Sequence, residues 1–239
     1  MAKRRKQYQT AQIFDFIPST SSPTNLINIK PRNDKQKRYL NYLANPVINI
    51  VCATGPAGTG KTLLAVTQGV KDFRARFYEK IVITRPAVSV DEQHGFLPGT
   101  LNEKMEPWIR PITDIMLDYM SQQQLEYFIR KQKIEIVPLA YMRGRTFHNS
   151  WVIADEMQNA TAEQTKMFLT RFGKGSKFVI TGDLNQFDRG YSQNGLADFI
   201  SRYSQQSSYT SQIEHVEFEG CDIERHPVVK EVLQLYQEL

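Results

Sequence analysis

Cysteine is scarce in this chain. Cys52 and Cys221 are the only two in 239 residues, far apart and with no C-x-x-C. That excludes a disulfide framework and a cysteine-based zinc site. Cys52 falls in an apolar run and reads as a buried thiol, which suits a reducing cytoplasm. Long hydrophobic runs are also missing. No apolar stretch approaches the roughly 18 residues of a membrane-crossing helix, so no membrane partner is expected. The first residues are basic, but no apolar stretch follows them as in a secretory signal. His94, His148, His215 and His226 are scattered without metal-ligand spacing. No internal repeat is visible. What remains is a chain that is 41% hydrophobic. It is long enough for one large α/β domain with appendages, or at most two small ones.

Charge is unevenly placed. The net charge is +5, yet residues 1–38 hold nine Lys or Arg against Asp15 and Asp34. The rest of the chain is therefore slightly acidic. A basic segment attracts phosphate backbones, and it serves equally well as a solubilising tail. Residues 1–33 read as a partly ordered arm in which Ile13, Phe14 and Phe16 dock on a neighbouring surface. Residues 34–239 read as one domain.

That domain is organised around Gly55-Pro56-Ala57-Gly58-Thr59-Gly60-Lys61-Thr62, which fits G-x-x-x-x-G-K-[ST]. The apolar run Val47–Ala53 before it reads as a buried strand. Leu63, Val66, Thr67 and Val70 after it fall at helical spacing. A strand, this loop and a helix in that order are the context the motif needs. The glycines let successive N–H groups point inward at phosphate oxygens, and the helix N-terminus favours an anion. Lys61 is expected to reach the β- and γ-phosphates of ATP, and the Thr62 hydroxyl to ligate Mg²⁺. Gly55 through Leu63 form the expected nucleotide-binding set.

Strands and helices alternate through the rest. Further strands are expected at Ile81–Thr84, Ile134–Val137, Trp151–Ala154, Lys177–Thr181 and Ile213–Phe218. Helices are expected at Asn33–Asn45, Pro111–Met120, Leu125–Arg130, Thr161–Phe172, around Leu196–Tyr203 and from Pro227 onward, where Val228 and Leu235 are among the residues expected to pack. Six strands interleaved with helices predict an α/β fold, a mostly parallel sheet with helices on both faces. Ligands of such sheets bind at the carboxyl ends of the strands. Thr84-Arg85-Pro86, Asp155-Glu156 and Thr181-Gly182-Asp183 each follow a strand directly. The segment Phe96–Trp108 reads as a Pro-broken aromatic insert before the helix at Pro111. It suits nucleic-acid stacking, a subunit contact or simple cover of the sheet.

An apolar strand ending in Asp155-Glu156 has the Walker B arrangement. Asp155 is expected to hold Mg²⁺ through water, and Glu156 to orient and deprotonate the attacking water. Gln186 stands either as a γ-phosphate sensor or as part of an ordinary polar loop. Hydrolysis also needs positive charge on the developing transition state. Arg143, Arg145 and Arg225 are the candidates, although most arginines of this kind are simply solvated.

With these motifs in order, the chain resembles the PhoH family of P-loop ATPases over Asn33–Leu239. The specific pieces are Gly55–Thr62, Thr84–Val88, Gly95–Gly99, Pro138–Thr146, Asp155–Asn159, Thr181–Asp183 and Arg225–Pro227. The resemblance implies a RecA-like sheet, as in the motor core of superfamily 1 helicases. It implies that Gln36 reads adenine and that Gln186 senses the γ-phosphate. It gives Arg225 a phosphate contact, on its own or a neighbour's nucleotide. Arg85 corresponds to a segment that meets nucleic-acid backbone, and Arg143 and Arg145 are further candidates for such contacts. It also implies a homo-oligomeric ring, often a hexamer, acting on single-stranded RNA or DNA. Met157 departs from the family's usual alanine, a change that should be tolerated. No nuclease domain is expected beside the ATPase domain, so RNA cleavage is not implied, and a chain with one RecA-like domain is expected to walk on nucleic acid only by assembling with its copies.

Overall fold

The computed structural model describes residues 27–86, 101–186, 194–205 and 212–224, together with Val228 and Leu235; for residues 101–108 only the backbone is described. Six strands form one all-parallel sheet in the order β3-β2-β4-β5-β1-β6. They are β1 (Ile50–Thr54), β2 (Lys80–Thr84), β3 (Ile134–Ile136), β4 (Ser150–Ala154), β5 (Lys177–Gly182) and β6 (Ile213–Glu217). The described helices are α1 (Asp34–Ala44), α2 (Lys61–Arg74), α3 (Leu101–Leu117), α4 (Gln122–Arg130), α5 (Ala162–Leu169) and α6 (Gly195–Ser204). All six expected strands are present.

Strand side chains alternate between faces, so one run of apolar residues feeds two cores. Val51, Ala53, Ile81, Ile83, Trp151, Ile153 and Val179 pack under α1, α2, α3 and α4. Cys52, Val82, Val152, Ala154, Phe178 and Ile180 face the other way, against Phe168 of α5 and Leu196 of α6. Each buried Val, Ile or Phe among them stabilises the fold by about 1.5–3 kcal/mol before entropy is counted, and each alanine by less. Both faces are covered, as a parallel sheet requires.

Several boundaries differ from expectation. β1 starts at Ile50, not Val47, because Val47 is exposed and the Asn49 and Ile50 N–H groups both turn onto the Gln212 carbonyl. α3 starts at Leu101, so the second half of the supposed Pro-broken insert is helical and the helix runs through Pro107 and Pro111. A proline inside a helix removes one hydrogen bond and crowds the preceding turn. Buried Ile112 and Met116 pack α3 against the core beside α2 and override that preference. α4 begins at Gln122, where Ser121 and Gln124 form a capping box. α5 stops at Leu169, because Phe172 leaves the helix to bridge Phe147. Ile27 and Ile29, inside the stretch assigned to the arm, already pack on the core. Of the last expected helix only Val228 and Leu235 are described. Both are helical and both are exposed, so neither faces the core as expected. Ile13, Phe14 and Phe16 lie outside the described residues.

Candidate active site

β1 and β4 deliver the two halves of the site, with β5 between them. β1 ends at Thr54 and runs into the loop. Gly55 sits there at φ +129°, where a Cβ would strike the Phe218 carbonyl, so only glycine fits. Its N–H donates to the Gly182 carbonyl at the end of β5, 3.2 Å away. β4 ends in Asp155 and Glu156 and is anchored by the Asp155 N–H on the Thr84 carbonyl of β2. The strand ends thus bring together residues about a hundred positions apart in sequence. Lys61, Thr62, Leu63, Asp155, Glu156 and Gln186 line one cavity of about 250 Å³, with Ala57, Gly58 and Gly60 of the loop.

Within this cavity the Lys61 ammonium is curled into its own loop. It donates to the carbonyls of Gly55 (2.5 Å) and Pro56 (2.8 Å) and to the Thr59 hydroxyl (3.3 Å). Burial lowers its pKa, opposed by the charges of Asp183, Glu156 and Asp155. The Thr59 hydroxyl in turn donates to the Pro56 carbonyl. Asp155 is buried, and its Oδ1 accepts from both the Thr62 hydroxyl (2.9 Å) and the Thr181 hydroxyl (2.5 Å). Glu156 adopts the left-handed conformation (φ 54°) that non-glycine residues seldom take. Its Oε2 accepts from the Gln158 amide at 2.5 Å.

The Thr62 hydroxyl and the Asp155 carboxylate, side by side, fit a hard cation. Mg²⁺ is typically held by one or two protein oxygens plus substrate phosphates. Among the described residues there is no larger cluster of three or more His, Cys, Asp or Glu that suits a metal.

The other expected site residues are distributed as follows. Gln36 is buried beside the loop; its Nε2 donates to the Thr59 carbonyl (3.1 Å) and its Oε1 accepts from the Arg32 N–H. Its amide therefore braces the phosphate loop. The Gln186 side chain is exposed at the cavity rim. Arg85 follows β2 and Arg143 is exposed beside Gly144; neither lines the cavity. Arg145 forks onto both oxygens of Glu135 and lies over the Phe147 ring. It lines a separate cavity at the amino ends of β2 and β4, away from the loop. Arg225 lies outside the described residues, but the N–H of Glu224 before it donates to the Gly58 carbonyl (3.1 Å). Two contributors were not singled out from the sequence. Thr181 holds Asp155, and its signal was its place in Thr181-Gly182-Asp183. Gln158 holds Glu156, and its only signal was its place in Asp155–Asn159.

A parallel sheet with helices on both faces, this loop after β1 and paired acids after β4 define an α/β protein of the P-loop class. Comparison with known sequences narrows the class. The model of the family described as PhoH-like protein matches residues 28–237, and the chain belongs to that family. It is 42% identical over 210 residues to the PhoH-like protein of Mycobacterium tuberculosis (strain ATCC 25618 / H37Rv), covering 87% of this chain and 58% of that one. It is 42% identical over 190 residues to the PhoH-like protein of Bacillus subtilis (80% and 59%), and 40% identical over 181 residues to Protein PhoH of Escherichia coli K12 (74% and 50%). The chain thus spans half to three-fifths of the length of these relatives. Among solved structures, the Pif1 helicase from Candida albicans aligns with 87% of this chain and 44% of its own, at a TM-score of 0.39 and 13% identity. That likeness is too loose to bear on function. No described helix is long and apolar enough to cross a membrane.

Proposed function

We propose that this chain hydrolyses ATP to ADP and phosphate with Mg²⁺, as a ring of its own copies, of hexameric type, that remodels or unwinds RNA in the cytoplasm. The observation that carries the hydrolysis is the convergence of Lys61, the Thr62–Asp155 pair and Glu156 on one cavity. Lys61 exchanges loop carbonyls for phosphate oxygens. Thr62 and Asp155 hold the metal, which supplies charge neutralisation on the transferred phosphoryl group. Glu156 orients and deprotonates the attacking water. Gln186 at the rim senses the γ-phosphate, and Arg225 supplies positive charge in its own site or a neighbour's. The two free thiols suit a reducing compartment.

The test is phosphate release by the purified chain with Mg²⁺ and ATP, with and without single-stranded RNA, on a sample whose mass is known from light scattering. RNA-stimulated release by a multimer supports the whole reading. Release indifferent to RNA, without salt-sensitive RNA binding, leaves the ATPase and removes the RNA motor. A second reading, a nucleotide-switched assembly with no nucleic-acid substrate, draws support from Arg145, whose guanidinium is already committed to Glu135.

A further inference from the structure

Gln158 lies in the 3₁₀ turn Met157–Asn159 that follows the acid pair, and it is 1% exposed. A buried primary amide must satisfy both its ends. Here the ends go to different strands. Nε2 donates to Glu156 Oε2 at 2.5 Å, beyond β4. Oε1 accepts from the Asp183 N–H at 3.1 Å, beyond β5. The two partners fix the orientation of the amide, because a flipped amide would set donor against donor and acceptor against acceptor. The space is closed as well. A Cβ on Gly182 would come within 2.8 Å of Gln158 Oε1 and 2.6 Å of Leu196.

The same turn grips the chain on the far side of Gln186. The Ala160 carbonyl, next after the turn, accepts from the Gly195 N–H at the start of α6 (2.8 Å). Asp183 and Gly195 are therefore both tied to the segment that carries Glu156. Glu156 itself needs holding, since its left-handed backbone does not by itself fix where the carboxylate points.

We propose that Gln158 is a positioning residue for hydrolysis: its amide locks the Glu156 carboxylate to the Asp183 backbone, so that the water-activating group and the Gln186 segment are set in one geometry. This rests on the hydrolysis reading above. Gln158 touches no substrate, so its effect belongs on kcat and not on nucleotide affinity.

Gln158→Met keeps the volume and removes both hydrogen bonds. It should lower kcat about 10- to 100-fold, the loss expected when a reacting group is displaced by about 1 Å. KM and the dissociation constant for a fluorescent ATP analogue should stay within about twofold. In a Glu156→Gln background, read by single-turnover ATP cleavage, the same change should cost nothing further, because Gln158 acts through Glu156. Gln158→Glu keeps the acceptor for Asp183, sets a second carboxylate against Glu156, and should lose at least as much kcat. If Gln158→Met does not fold, this variant carries the test. Wild-type kcat in either variant overturns the proposal. So does an equal loss in the Glu156→Gln background, or a kcat loss matched by weaker analogue binding. If the wild-type chain itself releases no phosphate, the hydrolysis reading fails, and the failure is seen before any variant is made.

Discussion

The two rims of the sheet use their charged groups differently. At the amino rim Lys177 and Glu135 find their partners within the protein. Lys177 is almost wholly buried, and its ammonium donates to the carbonyls of Tyr42 (3.1 Å), Leu43 (2.6 Å) and Asn45 (2.7 Å) where α1 ends. Glu135 takes both Arg145 and Lys80. At the carboxyl rim Asp155 and Glu156 accept, among the described residues, from the neutral donors Thr62, Thr181 and Gln158, and neither is within ion-pair distance of a described cation. The Lys61 ammonium answers their charge at longer range, and a cation arriving with a ligand would add a direct contact. The amino-rim cavity, about 350 Å³, is larger than the carboxyl-rim cavity of about 250 Å³. Size therefore does not mark the site. Carboxylates held by neutral donors beside the loop lysine do.

That contrast can be broken at either rim. The largest effect should come from Glu156→Gln, which is expected to lower the hydrolysis rate by about 10²–10⁴-fold with ATP binding kept, the range for losing a general base. Wild-type turnover would place the base elsewhere. Next is Lys61→Ala, which should weaken ATP binding about 100-fold or more by removing a charged partner of the phosphates. Titration with a fluorescent ATP analogue measures it, and unchanged affinity would make the loop irrelevant to nucleotide.

The amino rim should answer in stability instead. Lys177→Met leaves three helix-end carbonyls without their donor and should cost about 3 kcal/mol in urea unfolding, with wild-type nucleotide affinity. Burial pushes the Lys177 pKa down to about 8 from 10.5, against the pull of Asp72. The sign follows. The unfolded chain holds this proton more tightly, so stability is reduced below pH 8 and recovers as pH rises toward 10.5. Over pH 8 to 9 the gain should be about 1 kcal/mol, and the slope should shrink in Lys177→Met. Higher pH confounds the reading, because burial raises the Cys52 thiol to about 12 and favours unfolding once that group ionises in the unfolded chain. The smallest effect belongs to Arg145→Ala. Its side chain is 34% exposed, and its pair with Glu135 should be worth less than about 1 kcal/mol. A loss of several kcal/mol would mean that this pair organises the amino rim.

The phosphate loop and the acid pair were legible because their residue types are dictated by local chemistry. Glycines must turn, a lysine must reach, and an acid must end an apolar strand. The six strands were legible because runs such as Trp151–Ala154 can only be buried. α3 was half hidden, because prolines at 107 and 111 signal a break that packing of Ile112 and Met116 overrode. Lys177 was hidden for a related reason. A lysine at the start of a strand ordinarily reaches for water, and nothing local says that α1 ends directly above it.

By itself, then, the sequence determined the strands, the loop, the acids and the family, since each depends on neighbours in the chain. The fold alone decided that Lys177 answers to helix-end carbonyls, that Asp155 and Glu156 are held by neutral donors, and that Gln158 ties two strand ends together. Those outcomes depend on groups such as Lys177 and Leu43, 134 positions apart, or Gln158 and Asp183, 25 apart, meeting across the sheet. No local pattern encodes that pairing, because it arises only when the strand order is formed.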